Sequence, residues 1–380
     1  MKMKRMPTAV EGLDEILGGG LFEGGVYILE GPPGVGKTTL ANQIAYLHAR
    51  KGTKTLYVTM LAESHARMLQ HMDGQTFFDR QAVNSEVFYL SGYRELEQDG
   101  FRGVISLLRG ELARSGASLL VVDGLVAQDQ PRLADESVRQ FVHELQSLAT
   151  AMSCTCLVLA SGQGGAFSAE QTMVDGIFSF EDHSFHWRAE RRMQVRKFRG
   201  SLVIRGKHTF CISDRGLQFF PRLESLPYLG GANALGKAVV STGLAALDAV
   251  LHAGGLLAGS GSVLIGHSGS GKTTLALAFA AAATVAEPGL LLACTESVGD
   301  LQRLGSELGV PVNDALDSGA LTIGLLGHED ESMDEMDTGC FGWSMNSRSA
   351  GSQSTGWRAL RTRSRFPSGV IASSGACSQN

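Results

Sequence analysis

Gly31-Pro32-Pro33-Gly34-Val35-Gly36-Lys37-Thr38-Thr39 and Gly266-His267-Ser268-Gly269-Ser270-Gly271-Lys272-Thr273-Thr274 both satisfy the pattern G-x-x-x-x-G-K-[ST]. Such a loop wraps backbone N–H groups around phosphates, because its glycines turn where a side chain would clash. Each copy lies inside a longer repeated segment. Thr8-Ala-Val-Glu-Gly-Leu13-Asp14 recurs as Thr242-Gly-Leu-Ala-Ala-Leu247-Asp248, and Leu61-Ala62-Glu63-Ser64 recurs as Cys294-Thr295-Glu296-Ser297. The spacing between copies holds to within a residue or two, so the chain reads as a tandem repeat of one module.

The order of apolar runs around the first loop sets the fold class. Val26–Glu30 is an apolar strand that feeds the loop, and Thr38–Arg50 is the helix that follows. Further strands are expected at Thr55–Met60, Val87–Leu90, Ser118–Asp123 and Cys156–Ser161, separated by helical stretches at Glu63–Met72, Val104–Arg114 and Leu133–Met152. Continuous apolar strands alternating with helices call for an α/β fold. Its central sheet is mostly parallel, with helices on both faces. Ile177–Phe180, Met193–Arg199 and Phe210–Phe220 add an antiparallel C-terminal extension. The expected organisation is a complete module over 1–225, a Gly- and Pro-containing linker over 226–239, a partial second module over 240–337 and a patternless tail over 338–380.

The second copy stops making sense after Asp337, beyond which there is no acidic residue and no lysine. Asp123 lies 86 residues after Lys37, and the same step from Lys272 reaches Arg358, with no apolar strand ending in Asp nearby. The segment reads as out-of-frame or otherwise non-homologous to the first module, which leaves the second copy incomplete. A disordered functional tail is the alternative.

Composition narrows the partners. At 380 residues, with 43% hydrophobic and 19% charged residues, the chain suits two globular domains with sizeable cores. A net charge of −5 provides no global attraction to nucleic acid or to an anionic membrane. The apolar run Leu275–Ala286 is too short to cross a bilayer. None of the six cysteines stands at C-x-x-C spacing. Neither a zinc site nor a disulfide framework is expected, and the location expected is cytoplasmic. Cys154 and Cys156 read as core packing.

The chemistry expected of the first module is that of ATP with Mg²⁺. Residues Gly31 to Gly36 would cradle the phosphates beside a helix N-terminus, with Lys37 reaching the β- and γ-phosphates. Thr38 would ligate Mg²⁺ through its hydroxyl, and Asp123 would make a second metal contact from the end of its strand. Thr273 would ligate in the second copy. Glu63, just past the second strand, lies at the carboxyl edge of the sheet, where it can orient and deprotonate water. A helix-start glutamate is the competing reading. Ser161 and Gln163 could sense the γ-phosphate or simply form a loop. Lys197 and Arg199, two residues apart on one strand, share a face. They could bind a phosphate, form a solvated edge or contribute to local nucleic-acid binding, and the residues alone leave the three open.

Taken together, Thr8…Gly12-Leu-Asp14…Leu17-Gly-Gly-Gly20, Glu30-Gly-Pro-Pro-Gly-Val-Gly-Lys-Thr-Thr39, Val121-Val-Asp123, Lys197-Phe-Arg199-Gly-Ser201 and Phe210-x-Ile212-x-Asp214-x-Gly216-Leu resemble the KaiC family of RecA-like ATPases. The resemblance covers Pro7 to Glu224 as a complete module and Val240 to about Ile323 as part of another. It implies a RecA-like P-loop fold and slow ATP hydrolysis at subunit interfaces of a ring, usually six-membered. It also implies that Lys197 and Arg199 reach the neighbour's γ-phosphate, and that signalling runs through an unidentified protein partner. Clock members carry adjacent glutamates where this chain has Ala62-Glu63, so hydrolysis rests on one carboxylate. They also carry autokinase activity in a second module that here ends early, which disfavours such activity. Two alternatives follow: a DNA-dependent recombinase, opposed by the acidic balance, and a nucleotide-gated scaffold with little turnover.

Overall fold

The computed structural model describes residues 4–60, 65–126, 135–161, 173–185, 188–222, 225, 238–258, 260–293, 296–325 and 370–373. The chain divides into two units, Met1–Leu226 and Pro227–Asn380.

In the first unit a two-stranded ladder of β1 (Arg5–Met6) and β2 (Leu21–Phe22) precedes the main sheet, with the short helix α1 (Leu13–Ile16) between its strands. The sheet contains β3 (Val26–Gly31), β4 (Thr55–Thr59), β5 (Val87–Ser91), β6 (Leu119–Val126), β7 (Thr155–Ser161), β8 (Gly176–Phe185), β9 (Arg188–Phe198), β10 (Lys207–Ser213) and β11 (Gly216–Phe220). Its order is β11-β10-β9-β8-β3-β7-β6-β4-β5. From β8 to β5 all neighbours run parallel, and β9, β10 and β11 add antiparallel pairings at one edge.

The side-chain period of two splits every central strand between two cores. Tyr27 and Leu29 of β3, Val121 of β6 and Leu157 of β7 pack on one face with α2 (Lys37–Ala49). Val26, Ile28, Val122 and Val158 pack on the other. There they meet α4 (Tyr93–Ser115) and α5 (Asp135–Met152), through Leu108, Leu112, Phe141 and Leu145. Cys154 and Cys156 are fully buried in this second core, where burial pushes both thiols above their ordinary pKa. They are packing residues. The helix expected over Val104–Arg114 begins earlier, at Tyr93, because a kink at Gly100 (φ 61°) joins a first segment onto it. The stretch expected to be helical from Glu63 is helical as α3 (His65–Met72), Glu63 itself lying outside the described residues. Of the linker expected over 226–239, residues 226–237 lie outside them too, whereas Val239 begins a short strand.

The second unit contains an antiparallel pair of β12 (Val239–Val240) and β13 (Leu256–Leu257) with α6 (Ala245–Val250) between them in the chain, followed by α7 (Lys272–Ala281), α8 (Val298–Leu308) and α9 (Val312–Asp317). A three-stranded parallel sheet of β14 (Gly289–Ala293), β15 (Leu321–Leu325) and β16 (Val370–Ser373) has the order β15-β14-β16. This repeats β5-β4-β6 of the first unit, with β16 in the place of β6. Val370–Ser373 therefore forms a strand within the stretch whose composition suggested a patternless tail. The remainder of 338–380 is outside the described residues.

Residues 260–265, which lead directly into the second glycine loop, form no strand. Val263 and Ile265, which align with Ile28 and Glu30 of β3, are 83% and 93% exposed. In the first unit β3 pairs with β7 and β8. Among the described residues the second unit has no counterpart of either, so the segment has no ladder to join.

Candidate functional site

The first glycine loop leaves β3 at Gly31 and enters α2 at Lys37. Gly34 (φ 80°) and Gly36 (φ 109°) take left-handed backbone that L side chains avoid. Gly36 forms the N-terminal cap of α2 without any side-chain cap, leaving the first N–H groups of the helix for a ligand. Lys37 is 7% exposed, and its Nζ donates to the carbonyls of Gly31 and Pro32, at 2.8 Å each. Burial lowers the pKa of its ammonium, and the Asp123 carboxylate works in the opposite direction.

Thr38 is the next residue of α2 and is exposed to solvent. Its hydroxyl donates to Asp123 Oδ2 at 3.0 Å, across the sheet from an entirely different strand. Sequence reasoning ended that strand at Asp123. The structure continues it to Val126, and the register with β7 shifts between Asp123 and Leu125 at Gly124 (φ 96°). Such a bulge redirects the side chain beside it. The same carboxylate oxygen accepts a second bond, from the hydroxyl of Tyr57 on β4 at 2.7 Å. Ser161 ends β7 in register with Gly31, next to the loop, whereas Gln163 lies outside the described residues.

A divalent cation suits this pair of oxygens. Among the described residues no group of three or more His, Cys, Asp or Glu side chains could cage an ion. A hydroxyl and one carboxylate fit a hard cation that keeps most of its waters and takes the rest of its shell from phosphates. Thr38 and Asp123 would hold Mg²⁺.

Lys197 and Arg199 lie elsewhere. Their two-residue spacing is not on one regular strand: β9 bulges at Arg196, since Phe178 faces Val195 and Ile177 faces Lys197, and Arg199 lies beyond the strand in a turn. The bulge turns Arg196 toward the carboxyl end of β3, where it pairs at 2.9 Å with Glu30, whose side chain is 4% exposed. The Arg199 N–H donates to the Asp175 carbonyl at 2.8 Å, and Val26 N–H donates to Asp175 Oδ2 at 2.9 Å. Arg199 is therefore at the amino end of β3. Gly31 is at the other end, roughly 17 Å along the strand at about 3.3 Å per residue. Burial, with the neighbouring Arg199, lowers the Lys197 pKa, and Asp175 opposes the shift. Within one chain these two cations are not brought to the Lys37 loop.

The second loop repeats the first in detail. Gly269 (φ 76°) and Gly271 (φ 86°) match Gly34 and Gly36, and Lys272 Nζ donates to Gly266 and His267 carbonyls at 2.9 and 2.7 Å. Thr273 makes a different contact. Its hydroxyl donates to Glu296 Oε1 at 3.1 Å, the counterpart of Glu63. The register places Ser373 opposite Ala293, where Asp123 stands opposite Thr59 in the first unit.

Sequence reasoning missed Tyr57 and Asn42, both fully buried. Asn42 Nδ2 donates to the Thr38 carbonyl at 2.9 Å, and its Oδ1 accepts from Tyr89 at 2.7 Å. The available signal was a tyrosine inside an otherwise aliphatic buried strand, because a hydroxyl so placed needs a partner.

The ATPase family KaiC matches residues 6–224 and 240–340. A circadian clock oscillator protein KaiC of Picosynechococcus is 26% identical over 339 residues, covering 84% of this chain and 64% of its own length. A UPF0273 protein of Thermotoga maritima is 26% identical over 241 residues, covering 58% of this chain and 97% of its own. A circadian clock protein KaiC2 of Synechocystis is 24% identical, with 84% of this chain and 57% of its own covered. The chain thus spans less than two thirds of the clock relatives and contains nearly the whole of the shorter one. By its two matched segments and its loop-bearing parallel sheet, this chain belongs to the KaiC ATPase family and has that family's RecA-like P-loop α/β fold.

Proposed function

We propose that the first unit binds ATP with Mg²⁺ and hydrolyses it slowly at the subunit interfaces of a ring, and that nucleotide state controls assembly and partner binding. The observation that carries this reading is the contact of Thr38 with Asp123. It joins the phosphate loop to a carboxylate two strands away, in the arrangement that a magnesium triphosphate requires. Lys37 would leave its two carbonyls for the β- and γ-phosphates. Bound Mg²⁺ would neutralise phosphate charge and hold the phosphates in line. Water adds to the γ-phosphorus as its bond to the β–γ bridging oxygen breaks, giving ADP and phosphate. The proton of the water passes to Glu63, which lies outside the described residues. Its counterpart Glu296 reaches the loop threonine of the second copy, which favours a carboxylate from this position entering the site.

Lys197 and Arg199 stand too far from their own loop, which favours action on a neighbour's γ-phosphate. Ala62 in place of a second glutamate favours a second reading, a nucleotide-gated scaffold with little turnover. Phosphate release from wild type and from Glu63→Gln separates the two. The enzyme reading predicts steady release by wild type and at least a tenfold loss in the variant, about 1.4 kcal/mol of barrier. Equal, negligible rates would leave only the scaffold.

A further inference from the structure

Asp123 does not hold its orientation through Thr38 alone. Tyr57 has no exposed surface, and the phenol is held at both its hydroxyl and its ring. Its hydroxyl donates to Asp123 Oδ2 at 2.7 Å, and its ring lies obliquely against Tyr89 with centroids 5.2 Å apart. Tyr89 is fixed in turn, donating to Asn42 Oδ1 at 2.7 Å and lying 3.1 Å from the Tyr46 hydroxyl. Asn42 also holds the Thr38 carbonyl. Buried hydrogen bonds joined by the Tyr57–Tyr89 ring contact therefore reach both oxygen-bearing residues of the candidate metal site, one through its carboxylate and the other through its backbone.

We propose that Tyr57 is a positioning residue: its hydroxyl fixes the Asp123 carboxylate so that the oxygen facing the loop is presented to the divalent cation accompanying the nucleotide. The inference rests on the ATP-binding reading above. Tyr57 touches neither phosphate nor metal, and acts only through Asp123. Carboxylates that bind metals are themselves held by hydrogen bonds, and loss of such a holder costs roughly 10–100-fold in metal affinity. The nucleotide itself, gripped by backbone N–H groups and Lys37, does not depend on that bond.

The test uses the full chain and Tyr57→Phe, which deletes one buried oxygen and keeps the ring. Electron paramagnetic resonance follows Mn²⁺ uptake in the presence of a non-hydrolysable ATP analogue, and calorimetry follows uptake of the analogue alone in a chelator. Tyr57→Phe is expected to weaken Mn²⁺ binding about tenfold or more and to leave chelator-phase nucleotide affinity unchanged. Tyr89→Phe, which removes a hydroxyl from the same cluster but none from Asp123, is expected to keep wild-type Mn²⁺ affinity. Para-aminophenylalanine at residue 57 restores a donor on the same ring and is expected to restore binding. It also decides the matter should Tyr57→Phe not fold, since weak Mn²⁺ uptake by this donor-bearing protein would overturn the proposal. So would equal Mn²⁺ affinity in wild type and Tyr57→Phe, or equal losses in Tyr57→Phe and Tyr89→Phe. A wild type that takes up neither analogue nor Mn²⁺ would instead overturn the ATP-binding reading, and this inference with it.

Discussion

Arg199 shows how one residue's position restricts its possible work. Its N–H is tied to Asp175 at the amino end of β3, and its Nη1 donates to the Met173 carbonyl at 3.3 Å. On the proposed ring reading, a cation placed there would assist hydrolysis on another subunit. Arg199→Ala is therefore expected to lower phosphate release by about tenfold or more, the range of a charge aimed at developing phosphate charge, while isolated monomers keep their ATP affinity. Loss of affinity in monomers, measured by calorimetry at low protein concentration, would contradict that geometry. His48 and His65 give a prediction at the same scale. Burial lowers both pKa values below the ordinary 6.5, even though His48 reaches the Pro7 carbonyl at 2.8 Å. The unfolded chain then binds protons that the fold does not, so their contribution to stability is complete above pH 6.5 and declines as pH falls toward the lowered folded-state pKa values. Thermal melting should drop between neutral and mildly acidic pH, and His48→Gln should flatten part of that slope. A wild-type melting temperature insensitive to this window would contradict the burial argument.

At the scale of elements, the strands were legible wherever their patterning is continuous and local. Val26–Glu30, Thr55–Met60 and Ser118–Asp123 announce β3, β4 and β6 because a strand covered on both faces needs unbroken apolar residues. The glycine loops announce themselves because their whole pattern lies within nine consecutive residues. The two bulges did not. Gly124 and Arg196 each insert one residue against a partner strand, and nothing in the flanking sequence marks a shift whose cause is the neighbouring ladder. Tyr57 escaped for a related reason, since its partner Asp123 is 66 residues away. The bulge at Arg196 serves the Glu30 carboxylate, which has 4% exposure. Arg196→Ala leaves that group buried without this partner and is expected to destabilise the first unit by about 1–3 kcal/mol, with Glu30→Gln in the same background recovering part of the loss. Denaturant unfolding measures both, and an unchanged midpoint for Arg196→Ala would mean that the pair contributes nothing.

At the scale of the whole molecule, two copies of one sequence pattern have unequal surroundings. The first loop is carried by a strand sandwiched between β7 and β8, whereas the second hangs from exposed Val263–Ile265. The glycine turns and lysine contacts survive in both copies because they are local; the strand beneath them requires neighbours, and the sequence after Asp337 does not provide the pattern for them. Assembly belongs to this scale as well. Native mass spectrometry with ATP and Mg²⁺ is expected to show a six-membered species that dissociates when nucleotide is removed, and monomers under every condition would contradict the ring. No helix among the described residues is long and apolar enough to cross a membrane.

Titration calorimetry of ATP with Mg²⁺ into the full chain, into Lys37→Ala and into Lys272→Ala tests the central claim most directly. The account predicts tight uptake by wild type, retention of that uptake by Lys272→Ala and its loss in Lys37→Ala, with all three proteins folded. Uptake that survives in Lys37→Ala, or its absence from folded wild type, would contradict the assignment of the first glycine loop as the nucleotide site.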